Sequence, residues 1–266
     1  MKIILKKRRN YFSLQNKKRS DQSNRRIAFS LAIFFGILFF IDFIVLSLLY
    51  SWADWVATLI FSLLLIMPGY ISNAGMVVTG KGKPIDRGKY FIDGKRLLGD
   101  HKTWKGLIFG PLLIGIPISM AVYLLFLALW PLIVPIVEVA ATMGQYKLYS
   151  SVEIYKYYFI GGPFPFGILI LFIRSFLCGY GAAIGDLIGS FLKRRFNIAS
   201  GSPFWFVDQL DFVSFSILFA SIPAFFLPGY RAPDINIIIF LIIITPAVDI
   251  IANTVAYVIG LKDVPW

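Results

Sequence analysis

Histidine and cysteine are nearly missing from this chain of 266 residues, with His101 and Cys178 the single instance of each. One cysteine excludes an intrachain disulfide and a cysteine zinc cluster, and one histidine leaves no histidine-based metal site. Any metal would be held mainly by oxygen, which favours Mg²⁺, Ca²⁺ or Mn²⁺. Cys178 itself lies in an apolar run and reads as a small buried hydrophobe. Charge is scarce as well: Asp, Glu, Lys and Arg make up 15% of residues, against about a quarter in a soluble domain. A soluble globular fold is thereby excluded. Internal repeats are not visible, which counts against a transporter built from inverted halves. No Ser/Gly/Pro-rich linker divides the chain, so one membrane domain is expected. The glycines form no G-x-x-x-x-G-K-[ST] phosphate loop.

What is abundant is apolar surface: 58% hydrophobic residues, 17% aromatic, mean hydropathy +0.76. Six runs, at residues 27–50, 56–78, 107–135, 164–188, 212–227 and 236–260, approach or exceed the roughly 20 residues needed to cross the hydrocarbon core as a helix; 212–227 is short. The predicted fold is an all-α, polytopic integral membrane protein with six transmembrane helices and two cytoplasmic active-site loops. Residues 1–26 form a basic N-terminal arm, predicted mobile and cytoplasmic, and 27–266 form the membrane-embedded domain. Six spans put the arm, the loop 79–106, the junction 191–211 and the C-terminus on one side, with 10, 8, 3 and 1 Lys or Arg respectively. The opposite connections hold three, including two in the modest polar connection 138–162. That bias places the charged loops and both termini in the cytoplasm of a multi-pass cell-membrane protein. The net charge of +12 therefore reports topology, not nucleic-acid binding. No feature of the sequence specifies an oligomeric state.

The chemistry concentrates in residues 185–211, G-D-L-I-G-S-F-L-K-R-R-F-N-I-A-S-G-S-P-F-W-F-V-D-Q-L-D. If the preceding helix continues, Asp186, Ser190 and Lys193 or Arg194 share one face at i, i+4 and i+7 or i+8. Beyond the Gly201-Ser202-Pro203 break, Asp208 and Asp211 share a face at i, i+3. An acid late in an apolar span needs a partner. The other cytoplasmic loop contributes Asp86, Asp93 and Asp100 among eight bases, and its glycines argue against reading their seven-residue spacing as helical. Carboxylates that hold Mg²⁺ beside bases that neutralise phosphate suit phosphoryl or nucleotidyl transfer at a membrane surface. The blander reading is a solvated interfacial cluster that fixes topology, and for Lys193-Arg194-Arg195 alone it is as good.

As a set these motifs are specific. G-D-x-x-x-S-x-x-K-R at 185–194 followed by P-F-W-F-V-D-Q-L-D at 203–211 resembles the lipid cytidylyltransferases that form CDP-alcohols. K-R-R, D-Q-L-D, the terminal K-D-V-P-W at 262–266 and the loop K-P-I-D-R-G-K-Y-F-I-D-G-K-R-L-L-G-D-H-K-T-W-K-G at 83–106 most resemble the CDP-archaeol synthases. The resemblance covers about residues 68–266. It implies CTP and a membrane lipid phosphate, 2,3-digeranylgeranylglycerol 1-phosphate, as substrates, with Mg²⁺ as cofactor and CDP-archaeol and pyrophosphate as products. By motif match it implies Asp186, Asp208 and Asp211 as catalytic metal-site carboxylates, with Lys193 a catalytic cation that binds triphosphate or lipid phosphate. Ser190 and Arg194 would bind phosphate, Lys102, Thr103 and Arg96 would add contacts from the first loop, and Asn73 would contact the nucleotide base.

Alternatives stand beside this: a CDP-diacylglycerol synthase using phosphatidic acid, or a transporter whose charged loops bind phosphate regulators. The family is shorter and is usually counted with five spans, so the arm and one span here are additions. Asp249 stands where many members have histidine. Asp42 and Arg174 fall inside spans, where a charge is a functional hypothesis or one half of a structural ion pair, for example with each other.

Overall fold

The computed structural model describes residues 2–199 and 202–258; the terminal K-D-V-P-W motif lies outside these. Among them, six helical stretches are long and apolar enough to cross a membrane. They are built from α1 (Lys2–Leu49), α2 (Trp52–Thr79), α3 (Trp104–Phe109), α4 (Ile116–Met143), α6 (Phe166–Arg195), α7 (Val207–Ser221) and α8 (Ile235–Val258), with a short α5 (Val152–Ile160) between α4 and α6. The protein is an all-α, multi-pass membrane protein. α3 and α4 are one span, joined by a π-helical turn at Gly110–Gly115 that opens with Pro111. A missing proline donor and the wider turn go together there. Lys2 is already helical in α1, so the basic segment and the first span lie on one helix.

Burial ranks the spans. Over the most apolar window, 56% of both α2 and α6 is buried, but only 11% of the α1 span. α2 and α6 are the centre, and α1 is an outer helix lying on α8 and α2. Its docking edge is specific: Trp55 donates its indole N–H to Asp42 at 3.0 Å, and Phe39 and Phe43 meet the Trp55 ring edge-on. Asp42 is thus satisfied by an indole and does not pair with Arg174, contrary to the sequence expectation.

Arg174 is fully buried in α6. It donates to the carbonyls of Tyr157 and Tyr158 at 3.5 and 2.8 Å, while its guanidinium stands 4.9 Å from the Tyr123 ring centre. These carbonyls belong to the last turn of α5, where the Tyr157 carbonyl also accepts from the Gly161 amide at 2.9 Å, and a cation there complements the helix dipole. The connection 138–162 is consequently not a polar loop. α4 runs on to Met143, and α5 buries Tyr155, Tyr157, Tyr158 and Phe159 against the bundle.

α6 and α7 touch along Gly181, Gly185 and Gly189, a G-x-x-x-G-x-x-x-G ladder on one helical face. A Cβ at Gly181 would meet the Phe215 carbonyl, one at Gly185 the Asp211 carbonyl, and one at Gly189 the Asp211 carboxylate. With lipid as apolar as any side chain, such close backbone approach is what holds membrane helices together. It also sets the start of α7 beside the end of α6, where the site lies.

Candidate active site

Five elements converge at the end of the bundle that carries the polar loop: the ends of α2, α6 and α8, the start of α7, and the loop 80–103. Between them is a cavity of about 490 Å³ whose wall includes Asn73, Asp186, Lys193, Asp208 and Asp249. A second, of about 310 Å³, is lined by Asn73, Val77, Gly80, His101, Lys102 and Asp186. Asn73, Val77 and Asp186 belong to both, so the two spaces share a wall.

Each cavity carboxylate on α6 and α7 is held by a lysine. Lys102 donates to both oxygens of Asp186 at 2.6 Å, bringing the polar loop onto α6. Lys193 pairs with Asp208 at 2.6 Å and donates to the Ser202 carbonyl at 3.1 Å. Asp208 stands in the first turn of α7, where the helix dipole favours a negative charge, and it accepts from the Phe204 amide at 2.9 Å. The entry to that helix is strained: Phe206, its N-cap, has φ 69° and ψ −44°, a conformation that costs a bulky residue about 1–3 kcal/mol.

The remaining sequence candidates are placed as follows. α6 does continue to Arg195, so Asp186 and Lys193 share a face and one cavity, while Ser190 between them is buried and off the cavity wall. Asp211 is within electrostatic reach of Asp186, Asp208 and Lys102, yet its carboxylate is turned against Gly189 and accepts from the Phe212 amide. Arg194 is half-buried within reach of the charges on Asp100 and Asp208, and its Nε is buried without a partner. Thr103 caps α3, accepting from the Gly106 amide at 3.1 Å and donating to the Gly80 carbonyl at 2.9 Å. Arg96 lies in a clamp inside the loop: it bonds Asp86 through Nε and Nη2 at 2.9 and 3.1 Å, and Asp100 through Nη1. Burial would raise the Asp86 carboxyl, but the Arg96 fork and the Gly88 and Leu98 amides outweigh it and hold it below the usual range.

Among the described residues no group of three or more His, Cys, Asp or Glu side chains forms a ready-made metal site. The three aspartates of the motif do not close into a cage, because two are drawn to lysines and the third faces the glycine ladder. Mg²⁺ does not require one: it is usually held by one or two carboxylates together with substrate phosphate oxygens and water. Asp186 and Asp208 with the Asn73 amide on one cavity wall are an open, all-oxygen set of that kind, and it fits the ion.

Sequence reasoning singled out Asp249 but left Tyr70, Gln209 and Thr245 on the wall of the same cavity unassigned. Tyr70 and Thr245 share a hydrogen bond of 2.8 Å across α2 and α8, Asn253 donates to Asp249 at 3.1 Å, and Gln209 lines the same cavity. The signal was the polar break around Pro68–Asn73 in an otherwise apolar span.

A family model described as CarS-like, CDP-archaeol synthase, matches residues 55–142 and 133–266. The chain belongs to the CDP-archaeol synthase family. It is therefore an enzyme, a nucleotidyltransferase of membrane-lipid synthesis. CDP-archaeol synthase of Archaeoglobus fulgidus is 37% identical over 202 residues, covering 76% of this chain and 94% of that protein. The Thermococcus kodakarensis protein of the same name is 36% identical over 213 residues, 80% of this chain and 99% of its own length. A solved chain described as an intramembrane enzyme for archaeal membrane lipids biosynthesis is 28% identical, covering 74% of this chain and 92% of its own, with a TM-score of 0.43. The family match begins after α1, so that helix lies outside the matched residues.

Proposed function

We propose that the protein transfers the cytidylyl group of CTP to 2,3-digeranylgeranylglycerol 1-phosphate, giving CDP-archaeol and pyrophosphate, at the cytoplasmic face of the membrane. The observation that carries this reading is the pair of lysine–carboxylate contacts, Lys102–Asp186 and Lys193–Asp208, on the walls of two adjoining cavities at one end of the bundle. Family membership supplies the class of reaction. The 22 Lys and Arg residues on that side of the chain against three on the other supply the orientation.

In this mechanism an oxygen of the lipid phosphate attacks the α-phosphorus of CTP in line with the bridging oxygen to the β-phosphate. A new P–O bond forms as the old one breaks, and pyrophosphate leaves. A phosphate monoester is anionic at neutral pH, so a strong general base is not needed. The work of the site is to hold two mutually repelling anions together and to stabilise the departing charge. Lys102 and Lys193 on the cavity walls, with Arg194 within reach of Asp208, are the cations for phosphate oxygens. Asp186 and Asp208, with Asn73, would hold Mg²⁺, which when bound supplies charge neutralisation on the phosphates. Asp211 supports them from behind, fixed by the ladder.

The test is direct. Purified protein in lipid bilayers is given labelled CTP, Mg²⁺ and either the ether-linked phosphate or diacyl phosphatidic acid. CDP-lipid and pyrophosphate are expected with the ether lipid; a preference for the ester would move the reading to a CDP-diacylglycerol synthase, and no CDP-lipid from either would overturn it.

A further inference from the structure

Three consecutive bases end α6, but they do not share a task. On a helix, residues two apart point to nearly opposite sides. Lys193 faces the cavity. Arg195 faces the polar loop and is spent on it: Nη1 holds Asp93 at 2.5 Å, and Nη2 donates to the carbonyls of Lys95 at 3.3 Å and Arg96 at 2.5 Å. Its guanidinium lies 5.0 Å from the ring centre of Phe91 and 4.7 Å from that of Phe191, and those two rings meet edge-on. Lys95 answers by donating to the Arg195 carbonyl at 2.5 Å. The contact is reciprocal: Nη1 and Nη2 of Arg195 are both engaged by the loop, its Nε is buried without a partner, and the residue lies on neither cavity wall.

We propose that Arg195 is a positioning residue: the latch by which the end of α6 holds the loop so that Lys102 stands on Asp186. The loop touches α6 at two places. One is the Lys102–Asp186 pair, the other the Arg195–Lys95 interlock, nine residues apart along a helix and so separated by about 13 Å. Between them the Arg96 clamp on Asp86 and Asp100 stiffens the loop from within. The Lys102–Asp186 pair is about one quarter exposed on each side, and a partly solvated pair of that kind does not order a long loop by itself. The Arg195 side chain, 17% exposed, with three loop acceptors and two rings, does. Lys102 is therefore delivered to its carboxylate by a residue that never touches substrate.

The inference rests on the assignment of Lys102 to the active site, and its test separates the two. Arg195→Ala, Lys102→Ala and the double variant are compared for kcat and KM for CTP, and each is also read for trypsin cleavage within the loop. Arg195→Ala is expected to open the loop to trypsin and to lower kcat/KM by about 100-fold, the scale of a misplaced catalytic group. In the Lys102→Ala background it should add little, because two residues acting as one unit are non-additive. Additive losses, or full activity with an opened loop, overturn the latch. Full activity of Lys102→Ala with an opened loop in Arg195→Ala would instead overturn the role of Lys102 in the active site. Should Arg195→Ala fail to fold, Asp93→Asn removes one arm of the latch at an exposed position and must show the same pattern at smaller amplitude; unchanged cleavage and kinetics there also overturn the proposal.

Discussion

α6 carries basic side chains at two depths, and they are treated in opposite ways. Arg174 is sealed among peptide carbonyls and tyrosine rings. Lys193 near the other end stands in a cavity wall, paired to an aspartate that is itself about one quarter exposed. A cation matched to fixed carbonyls cannot exchange its partners without unpacking the helix they belong to. A lysine matched to a partly exposed carboxylate beside open space can turn to another anion at small cost. The first arrangement builds the bundle, and the second is fit to meet phosphate. Burial alone does not mark function; the exchangeability of the partner does.

The largest test of this contrast is at the open end. Asp186→Asn and Asp208→Ala should lower CDP-lipid formation by about 100- to 1000-fold, as loss of a charge-stabilising group does, with unfolding temperature in detergent nearly unchanged. Near-normal turnover in Asp208→Ala would remove it from the site. Arg174→Leu should do the reverse. Two hydrogen bonds to a charged donor are lost at the end of α5, so stability should fall by about 3 kcal/mol, while the folded fraction keeps its turnover. A thermal melt paired with activity per folded molecule checks both halves.

Gly189→Ala lies between these extremes, because its added methyl would strike the Asp211 carboxylate. Overpacking of about 1–3 kcal/mol is expected, with activity falling further than stability alone explains. The smallest effect belongs to the Asp86 clamp. Its carboxyl is held below its usual value, so its contribution is complete above the unfolded-state pKa, about 3.9. It is lost as pH falls through the lower folded value. Loop protection measured by hydrogen exchange should therefore hold from neutral pH down to about 4 and weaken only below it, and Asp86→Asn should abolish that acid transition.

The spans and the polar end were legible because lipid allows little else: a run of about 20 apolar residues must be a helix. The acid–base motif also showed in the spacing of Asp186 and Lys193, since α6 runs straight through it. Arg174 was harder to read, because its acceptors are backbone carbonyls, which carry no residue code. α5 was misread as a polar connection because Glu153 and Lys156 interrupt an otherwise apolar run of tyrosines. The glycine ladder stands in the sequence at i, i+4 spacing, but spacing alone does not say which helix packs on it. Arg96 and Thr103 lie in the loop that resembles the family's, yet their side chains are bonded within the loop and at the α3 cap. Only three-dimensional contacts distinguish a phosphate ligand from a loop brace.

The outermost helix has a cost of removal that its thin burial hides. Trimming the chain to the length the family shares would leave the Trp55 indole N–H without its acceptor and strip Phe240 of the Phe39 ring that now covers it. An appended segment has thus become a sleeve for two neighbours, and a shortened protein would need a lipid, a detergent or a compensating substitution in its place.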